Sequence, residues 1–202
     1  MTVYALILID SISDMEGFRR YGAGFQEVFD KHSGSVLARE FNPSMIEGTD
    51  WPYVTTVLIS FPDAEALNAW YHSPQYQALA QHRLQSTKGR IAMLPSLGLG
   101  DIQGPGKVHA LVLIDSISDR EGFARYGEGW MDIFSQYDGK LLAADENPTV
   151  VEGDWPITRT VVLSFSNAEE LKAWYHSPGY QKQAQARWQS SKGRIAMLHG
   201  LS

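Results

Sequence analysis

The fold is decided by a nine-residue stretch that occurs twice, Ala69-Trp-Tyr-His-Ser-Pro-Gln-Tyr-Gln77 and Ala173-Trp-Tyr-His-Ser-Pro-Gly-Tyr-Gln181. In both copies Ser-Pro predicts the start of a helix. The serine hydroxyl can cap the first turn, and a proline at the first helical position leaves no N–H without a partner. The tryptophan and tyrosine before it are placed to close a short preceding helix. The stretch therefore predicts two consecutive helices in each copy.

The rest of the chain repeats with the same spacing. Val3–Leu97 aligns with Val108–Leu201, with the single residue Thr49 lacking from the second copy, and more than half of the aligned positions are identical. A period of about 100 residues indicates a duplicated domain rather than a solenoid. We predict a first repeat at 1–95, a linker at 96–107 and a second repeat at 108–202.

Apolar runs and turn residues predict the order strand, helix, strand, strand, helix, strand in each repeat. The first-repeat strands are expected at Val3–Asp10, Ser35–Phe41, Val54–Phe61 and Gly89–Leu94. The pattern predicts an α+β sandwich in each βαββαβ repeat, with the helices on one face of a four-stranded antiparallel sheet. Because the strands are apolar on both sides, the other face of each sheet is expected to be covered by the sheet of the other repeat.

Local motifs predict how the elements begin and end. Ser13-x-x-Glu16 is typical of a capping box at the start of the first helix, and the second repeat carries the same motif. Gly34 and Gly139 are in the position of a left-handed cap at the end of that helix. Residues 42–52 and 147–156 are rich in turn residues and are predicted to be connections.

The composition of the chain bears on its partners and on its cellular location. The net charge is −6 and there is no Lys/Arg cluster, so we expect no nucleic-acid partner. There is no cysteine, which excludes disulfides and cysteine-based metal or redox sites. Met1–Asp10 is apolar, but it is too short for a membrane span and lacks the basic region of a signal peptide. We expect no membrane association and a cytoplasmic location.

Taken together, several motifs resemble the domain-of-unknown-function 1330 family. They are Glu-Gly-x-Asp-Trp-Pro at residues 47–52 (without the extra residue at 152–156), a strand that ends in Ser-Phe, the doubled Ala-Trp-Tyr-x-Ser-Pro-x-Tyr-Gln, an arginine one helix face later and a final short strand. The resemblance covers nearly all of both repeats and leaves out the linker. An arginine that we expect after the Trp-Pro turn is present as Arg159, whereas the first repeat has Thr55 there.

This resemblance implies the dimeric α+β barrel superfamily, whose ferredoxin-like units pair sheet to sheet. The chain would then carry two subunits fused as a pseudo-dimer, with association into a further homodimer left open. The superfamily includes small monooxygenases, lactone isomerases, polyketide cyclases, haem-handling enzymes and members without a known activity. The 1330 family itself has no general established reaction.

Two arginines are the first candidates for chemistry. Tyr76 and Arg83 are seven residues apart and share one helical face, as do Tyr180 and Arg187. A guanidinium on an inward face needs an acceptor, since an unpaired buried charge is very costly. That acceptor is either a substrate carboxylate or enolate, bound in a bidentate way, or a structural partner. The candidate structural partners are Glu47, Glu152, Asp10 and Asp115.

The other candidates recur in both repeats. The catalytic candidates are Tyr126, Glu152, His176 and Arg187, with first-repeat counterparts Tyr21, Glu47, His72 and Arg83. The substrate-binding candidates are Trp155, Arg159, Tyr180, Trp51 and Tyr76. The arginine would hold an anionic oxygen, the tyrosine would donate a hydrogen bond, and the glutamate or histidine would move a proton. The alternatives are a packed tyrosine, a loop histidine bonded to backbone and a tryptophan that plugs the barrel end.

We expect no metal site, because the remaining histidines have no counterpart in the other repeat.

The candidate residues are compatible with two functions. The first is a cofactor-independent small-molecule enzyme of the isomerase, cyclase or monooxygenase type, acting on an anionic or aromatic substrate. The second is a non-catalytic ligand-binding or structural module in which the Arg–Glu pairs are architectural. Leu79, His82 and Leu84 become Gln183, Ala186 and Trp188. This divergence predicts that at most one repeat holds a competent site, with the second favoured.

Overall fold

The computed structural model describes residues 1–100 and 106–201, which divide into two units. The first unit comprises residues 1–42, 52–98 and 148–155, and the second comprises 43–51 and the described residues within 99–147 and 156–202. Each unit therefore contains most of one sequence repeat and a short segment of the other. Residues 101–105 of the predicted linker lie outside the described residues. The repeat boundaries at 95 and 108 stay a prediction.

The first unit is an antiparallel sheet with helices. Elements are numbered along the whole chain, and those of this unit are β1 (Val3–Ile12), α1 (Met15–Phe29), β2 (Ser35–Phe41), β4 (Thr55–Phe61), α2 (Ala64–Tyr71), α3 (Pro74–Ser86), β5 (Thr87–Pro95) and β8 (Thr149–Glu152). The strand order is β2-β4-β1-β5-β8. The predicted sequence of elements is confirmed.

The second unit repeats this plan. Its elements are β3 (Ser44–Glu47), β6 (Val108–Ile117), α4 (Arg120–Phe134), β7 (Lys140–Asp145), β9 (Arg159–Phe165), α5 (Ala168–His176), α6 (Pro178–Ser190) and β10 (Ser191–His199). The strand order is β3-β10-β6-β9-β7. The structure thus has the α+β class and the two βαββαβ-like halves that the sequence predicts. Among the described residues, no helix is long and apolar enough to cross a membrane.

The sheets have five strands, so the prediction of four was wrong. The additional strands β3 and β8 lie in the segments predicted to be connections. In the first unit β8 pairs antiparallel with β5, with Ile91 opposite Glu152 and Ala92 opposite Val150. Without it, β5 would be an edge strand with a row of unpaired N–H and C=O groups. Each of these strands has only four residues and is flanked by Pro, Gly and Asp, so the sequence pattern predicts a turn there and not a strand.

The first helix is capped by aspartate, and the predicted capping box was wrong. Asp14 accepts a hydrogen bond from the backbone N–H of Glu16 at 2.9 Å. The hydroxyl of Ser13 instead donates to the carbonyl of Ser86 at 3.1 Å, which ties the start of α1 to the end of α3. In the second unit Asp119 likewise caps the helix, by accepting from the backbone N–H of Gly122 at 3.0 Å, and Ser118 donates to the carbonyl of Ser190. A carboxylate one residue later is the stronger acceptor, and it leaves the serine free for this tertiary bond.

The glycine after the first helix is needed for space, and the predicted left-handed cap at Gly34 and Gly139 was wrong. The residue with positive φ is Ser33, at 56°. A Cβ atom on Gly34 would lie 2.8 Å from the ring of Phe61 and closer still to the ring of Phe29. Gly34 therefore lets the chain turn against two core rings at the end of α1.

The predicted helix start at Ser-Pro is confirmed, and it fixes the aromatic core. The Ser73 hydroxyl accepts from the Tyr76 backbone N–H at 3.1 Å, and Pro74 is the first residue of α3. Trp70, at the end of α2, is fully buried, with its ring 4.1 Å from the Tyr76 ring and 5.3 Å from the Phe61 ring. Such contacts stabilise the core beyond the area they bury. The second unit places Trp174 in the same way.

We predict that Gly34→Ala lowers the free energy of unfolding by about 1–3 kcal/mol, because the added methyl overpacks two core rings. Gly22→Ala is the matched control. Gly22 lies within α1 with nothing within 4 Å of a Cβ atom, and alanine there should raise stability by about 0.5–1 kcal/mol. Urea denaturation of both variants checks this. Equal effects at the two positions would contradict the role of Gly34.

Candidate functional site

In the first unit a buried guanidinium is paired with a carboxylate through its two Nη atoms, while its buried Nε has no hydrogen-bond partner among the described residues. Arg83 donates to both carboxylate oxygens of Glu152 at 2.6 Å, and its side chain is only 2% exposed. The hydroxyl of Tyr71 donates to the same carboxylate at 2.9 Å. Arg83 also reaches the hydroxyl of Tyr76 at 3.4 Å and lies 5.5 Å from the ring centre of Tyr21. This is the closed, bidentate geometry that stabilises a buried charge.

The second unit contains the same cluster with one additional donor. Arg187 donates to the two oxygens of Glu47 at 2.8 and 2.5 Å. Tyr175 donates to Glu47 at 2.8 Å, and the indole N–H of Trp188 donates to it at 2.9 Å. Arg187 also donates to the hydroxyl of Tyr180 at 3.4 Å. The first repeat has Leu84 where Trp188 stands, so this donor is specific to the second unit.

The glutamate of each cluster comes from the other repeat, a feature that the sequence analysis did not anticipate. Glu152 ends β8 in the first unit and Glu47 ends β3 in the second. In the predicted catalytic sets Glu152 is grouped with Arg187 and Glu47 with Arg83, and the predicted structural alternative names both glutamates without choosing between them. The structure joins Arg83 to Glu152 and Arg187 to Glu47. The bonds span 69 and 140 sequence positions.

The environment keeps these groups in fixed protonation states. Burial alone would raise the pKa of Glu47, but the hydrogen bonds and charge of Arg187, with the bonds from Trp188 and Tyr175, hold it below its usual range. Burial opposes the charge of Arg187, yet hydrogen bonds to Glu47 raise its pKa overall. Glu47 and Arg187 are therefore both charged at neutral pH. Burial raises the pKa of Tyr126 well above 10, which keeps this phenol protonated.

A cavity of about 420 Å³ lies in the second unit, within the size range of small-molecule sites. Its walls are mainly aliphatic and aromatic, and five side chains add polar groups. The apolar lining includes Val112, Ile114, Phe123, Trp130, Leu141, Val161, Leu163 and Trp174, and the polar lining consists of Arg120, Tyr126, Glu146, Arg159 and Arg187. An apolar chamber with a few converging polar groups is the usual composition of a ligand site.

Three charged residues of the lining form one cluster, which we call the charged end. Arg159 donates to Glu146 at 2.9 Å, and Arg120 lies 3.5 Å from the other oxygen of the same carboxylate. The Arg159 guanidinium also lies 5.9 Å from the ring centre of Phe123. That ring is 5.9 Å from the ring of Tyr126, which in turn lies 5.7 Å from Arg187. A row of two aromatic rings therefore connects the charged end with the buried cluster.

The sequence analysis identified Arg159 but missed Arg120 and Glu146. The corresponding first-repeat residues are Thr55, Met15 and Phe41. The differences between the repeats did contain a signal for a charged cluster, because three neutral residues of the first repeat correspond to three charged residues of the second. It could not be recognised while the three positions, on β9, α4 and the end of β7, were not known to meet.

Most of the other predicted residues are not among those that line this cavity. His72 and His176 are exposed at the ends of the short helices, each with its ring about 5 Å from the preceding tyrosine. Trp51 and Trp155 are half-buried, and neither lies among the residues that line the cavity. Tyr76 and Tyr180 are buried in the arginine clusters. Of the predicted catalytic residues, Tyr126 and Arg187 border the cavity.

Metal coordination finds no support in the described part of the chain. Within residues 1–100 and 106–201, no three His, Asp or Glu side chains lie close enough together to hold a metal ion.

Comparisons with known proteins agree with this architecture. The family described as "Domain of unknown function (DUF1330)" matches residues 2–97 and again residues 107–201. No curated protein matches the chain. Solved structures that resemble the whole chain include a Fusobacterium nucleatum protein assigned provisionally as a monooxygenase. Its TM-score is 0.60 at 9% identity, covering 100% of this chain and 92% of that one.

Two further structures resemble the chain over a similar length. An anthrone oxidase-like protein has a TM-score of 0.56 at 11% identity, covering 100% of this chain and 92% of that one. A mutant chlorite dismutase from Candidatus Nitrospira defluvii has a TM-score of 0.55 at 9% identity, covering 99% and 92%. These proteins have the dimeric α+β barrel fold, which confirms the predicted fold class. At such low identity the likeness concerns the fold alone.

We predict that Glu47→Gln lowers the free energy of unfolding at neutral pH by about 3–5 kcal/mol, because it leaves the Arg187 charge buried without a counter-ion. The pKa of Glu47 is lowered in the folded state, so the wild type loses this contribution as the pH falls below about 4.3. The gap between wild type and variant should therefore narrow on acidification.

Urea denaturation across pH measures this gap, and Glu16→Gln is its control. Glu16 forms an exposed pair with Arg20, with side chains 72% and 62% exposed, so its loss should leave stability unchanged. A Glu47→Gln variant as stable as the wild type at neutral pH would refute the assigned role of the pair.

Proposed function

The chain belongs to the DUF1330 family, whose description names no reaction, and on that premise we propose a function from the site itself. The second unit binds a small substrate of the anionic or aromatic type in its cavity and transforms it. The reaction belongs to the isomerase, cyclase or monooxygenase type and relies on side chains without a resident cofactor. One observation carries this proposal: an apolar chamber and a set of charged residues adjoin in the same unit.

The lining residues can be given roles from their chemistry. Tyr126 remains protonated, because burial raises its pKa. Its hydroxyl is hydrogen-bonded to Tyr180, so in this proposal it turns from Tyr180 to donate a hydrogen bond to a developing oxyanion. Glu146 is the one carboxylate among the described lining residues. It takes the proton-accepting role that the sequence analysis gave to Glu152 and His176. The rings of Phe123 and Trp130 provide apolar faces for a planar substrate.

The buried arginine clusters have a different role in this proposal. Both Nη atoms of Arg187 donate to Glu47, and Arg83 is bound to Glu152 in the same way. These guanidinium groups are neutralised within the fold, so they position the rings of Tyr126 and Tyr21 and do not receive substrate. The predicted alternative, architectural Arg–Glu pairs, therefore applies to the clusters, while the catalytic hypothesis applies to the cavity.

The remaining expectations complete the proposal. We place the reaction in the cytoplasm, which fits a chain without cysteine. The first repeat supports the fold and does not hold a second competent site. A neighbour of the same fold is named anthrone oxidase-like, which supports an aromatic substrate only by analogy.

We predict that Ala144→Phe weakens the binding of small aromatic ligands by about tenfold or more, because the added ring fills part of the chamber. Ala144 lines the cavity, and its first-repeat counterpart is the exposed Arg39. Arg39→Phe is therefore the matched control and should bind as the wild type does. A thermal-shift screen of aromatic acids, phenols and lactones identifies ligands, and calorimetry gives their affinities.

Two results decide the outcome. Circular dichroism and the melting temperature establish that Ala144→Phe is folded, so that a loss of binding can be assigned to the filled chamber. Ligands that bind the folded variant as tightly as the wild type, or a screen in which no compound binds the wild type, would refute the proposed site.

A further inference from the structure

We propose that the charged end, Arg120, Glu146 and Arg159, is a carboxylate-binding subsite, and that the cavity takes a planar monocarboxylate of the aromatic class. This inference rests on the proposed function of the second unit. It assigns the anion-binding role to Arg159 and Arg120 and not to the buried arginines.

The charge balance of the charged end favours one incoming negative charge. Two guanidinium groups share the single carboxylate of Glu146, at 2.9 Å from Arg159 and 3.5 Å from Arg120. The cluster therefore has an excess charge of about +1 at neutral pH, since arginine stays protonated. The side chains of Arg120 and Arg159 are 74% and 34% exposed, so solvent screens part of this charge. A ligand with one carboxylate gains an attraction to the cluster that a neutral ligand lacks.

The guanidinium of Arg159 has N–H donors besides the one that is bonded to Glu146. In the part of the chain that the structure describes, its one hydrogen-bond acceptor is Glu146, through a single Nη atom. A guanidinium carries five N–H donors, so a second carboxylate can be bound beside the first. Arg187 differs, because both of its Nη atoms already donate to Glu47. The exposures agree with this, since the Arg159 side chain is 34% exposed and that of Arg187 is 2% exposed.

The position of Arg159 is fixed on two sides. Its guanidinium lies against the face of Phe123 at 5.9 Å and is held by Glu146 from another element. A planar cation held by a ring and a carboxylate loses little freedom when it binds a ligand, which favours affinity. The same ring of Phe123 borders the chamber, so a carboxylate at Arg159 directs the body of the ligand along the aromatic wall.

The two repeats differ at all three members of the charged end. The first repeat has Met15, Phe41 and Thr55 at these positions. There the ring of Phe41 lies 6.4 Å from that of Phe18, and Thr55 is 1% exposed. The corresponding place in the first unit therefore carries no charge from these three residues. The fold does not require this cluster, because the first unit keeps the same strands and helices without it.

A ligand carboxylate bound beside Glu146 at Arg159 would be repelled by the negative charge of Glu146. Removing its charge should therefore strengthen the binding of an anion, whereas a purely structural Glu146 would give unchanged or weaker binding. This expected sign separates the two roles of the residue, and it gives the experiment a readout that loss of stability cannot imitate.

The experiment compares 1-naphthoate with its neutral analogue 1-naphthamide by calorimetry on the full chain. We expect the wild type to prefer naphthoate by about tenfold or more. Arg159→Thr, which introduces the first-repeat residue, should abolish this preference while changing naphthamide affinity little. Glu146→Gln should raise the affinity for naphthoate about threefold or more and leave naphthamide unchanged. Arg20→Thr, on α1 of the first unit and not among the residues that line the cavity, is the control and should behave as the wild type.

Other outcomes overturn one proposal or both. Equal affinities for the two probes, with Arg159→Thr without effect, would overturn the carboxylate subsite and leave the ligand cavity standing. Weaker naphthoate binding in a folded Glu146→Gln variant would also overturn the subsite. If neither probe binds the wild type at millimolar concentration, the subsite and the proposed function both fail.

Discussion

A buried guanidinium in each unit needs a carboxylate, and this requirement organises the rest of the structure. Arg83 and Arg187 are 2% exposed, and a charge at such a position is tolerated only when it is paired and hydrogen-bonded. Each unit meets the need with a glutamate from the other repeat, delivered at the end of a four-residue strand. That strand also pairs with the last long strand of the sheet. One short segment therefore satisfies the buried charge and the sheet edge together.

The magnitudes explain why the segment was kept in both repeats. A helix cap is worth about 1 kcal/mol, whereas leaving one partner of a buried ion pair alone costs about 3–5 kcal/mol. The residues around the segment could diverge, and they did, from Ser-Met-Ile in one repeat to Thr-Val-Val in the other. Glu47 and Glu152 did not change, although they are bonded to residues 140 and 69 positions away. The retained polar residues that first resembled a catalytic set are largely explained by this architecture.

What the sequence could predict follows from how local each interaction is. The helix that begins at Ser73-Pro74 rests on a bond between Ser73 and Tyr76, and the strands rest on apolar runs, so both were predicted within a few residues. The helix face with Arg83 was also correct, because helical spacing is local. The strands β3 and β8 were missed, because four residues between turn formers have no visible period and are held by a distant partner. The start of α1 was misassigned because Asp14 and Ser13 compete for one cap, and the carbonyl of Ser86, far along the chain, decides between them.

The cavity was beyond sequence reasoning for another reason, since an empty volume is a property of what surrounds it. Two small residues of the lining, Ala124 and Ala144, stand where the first repeat has Arg19 and Arg39. Each replacement shortens a side chain by several atoms, and neither has meaning until helix α4 and strand β7 are known to face the same space. The second repeat therefore lacks two positive charges that the first repeat has, at the positions of Ala124 and Ala144. It has two others instead, at Arg120 and Arg159. The second unit thus has apolar walls and a concentrated positive charge at one end, which is the division that recognition of a planar anion requires.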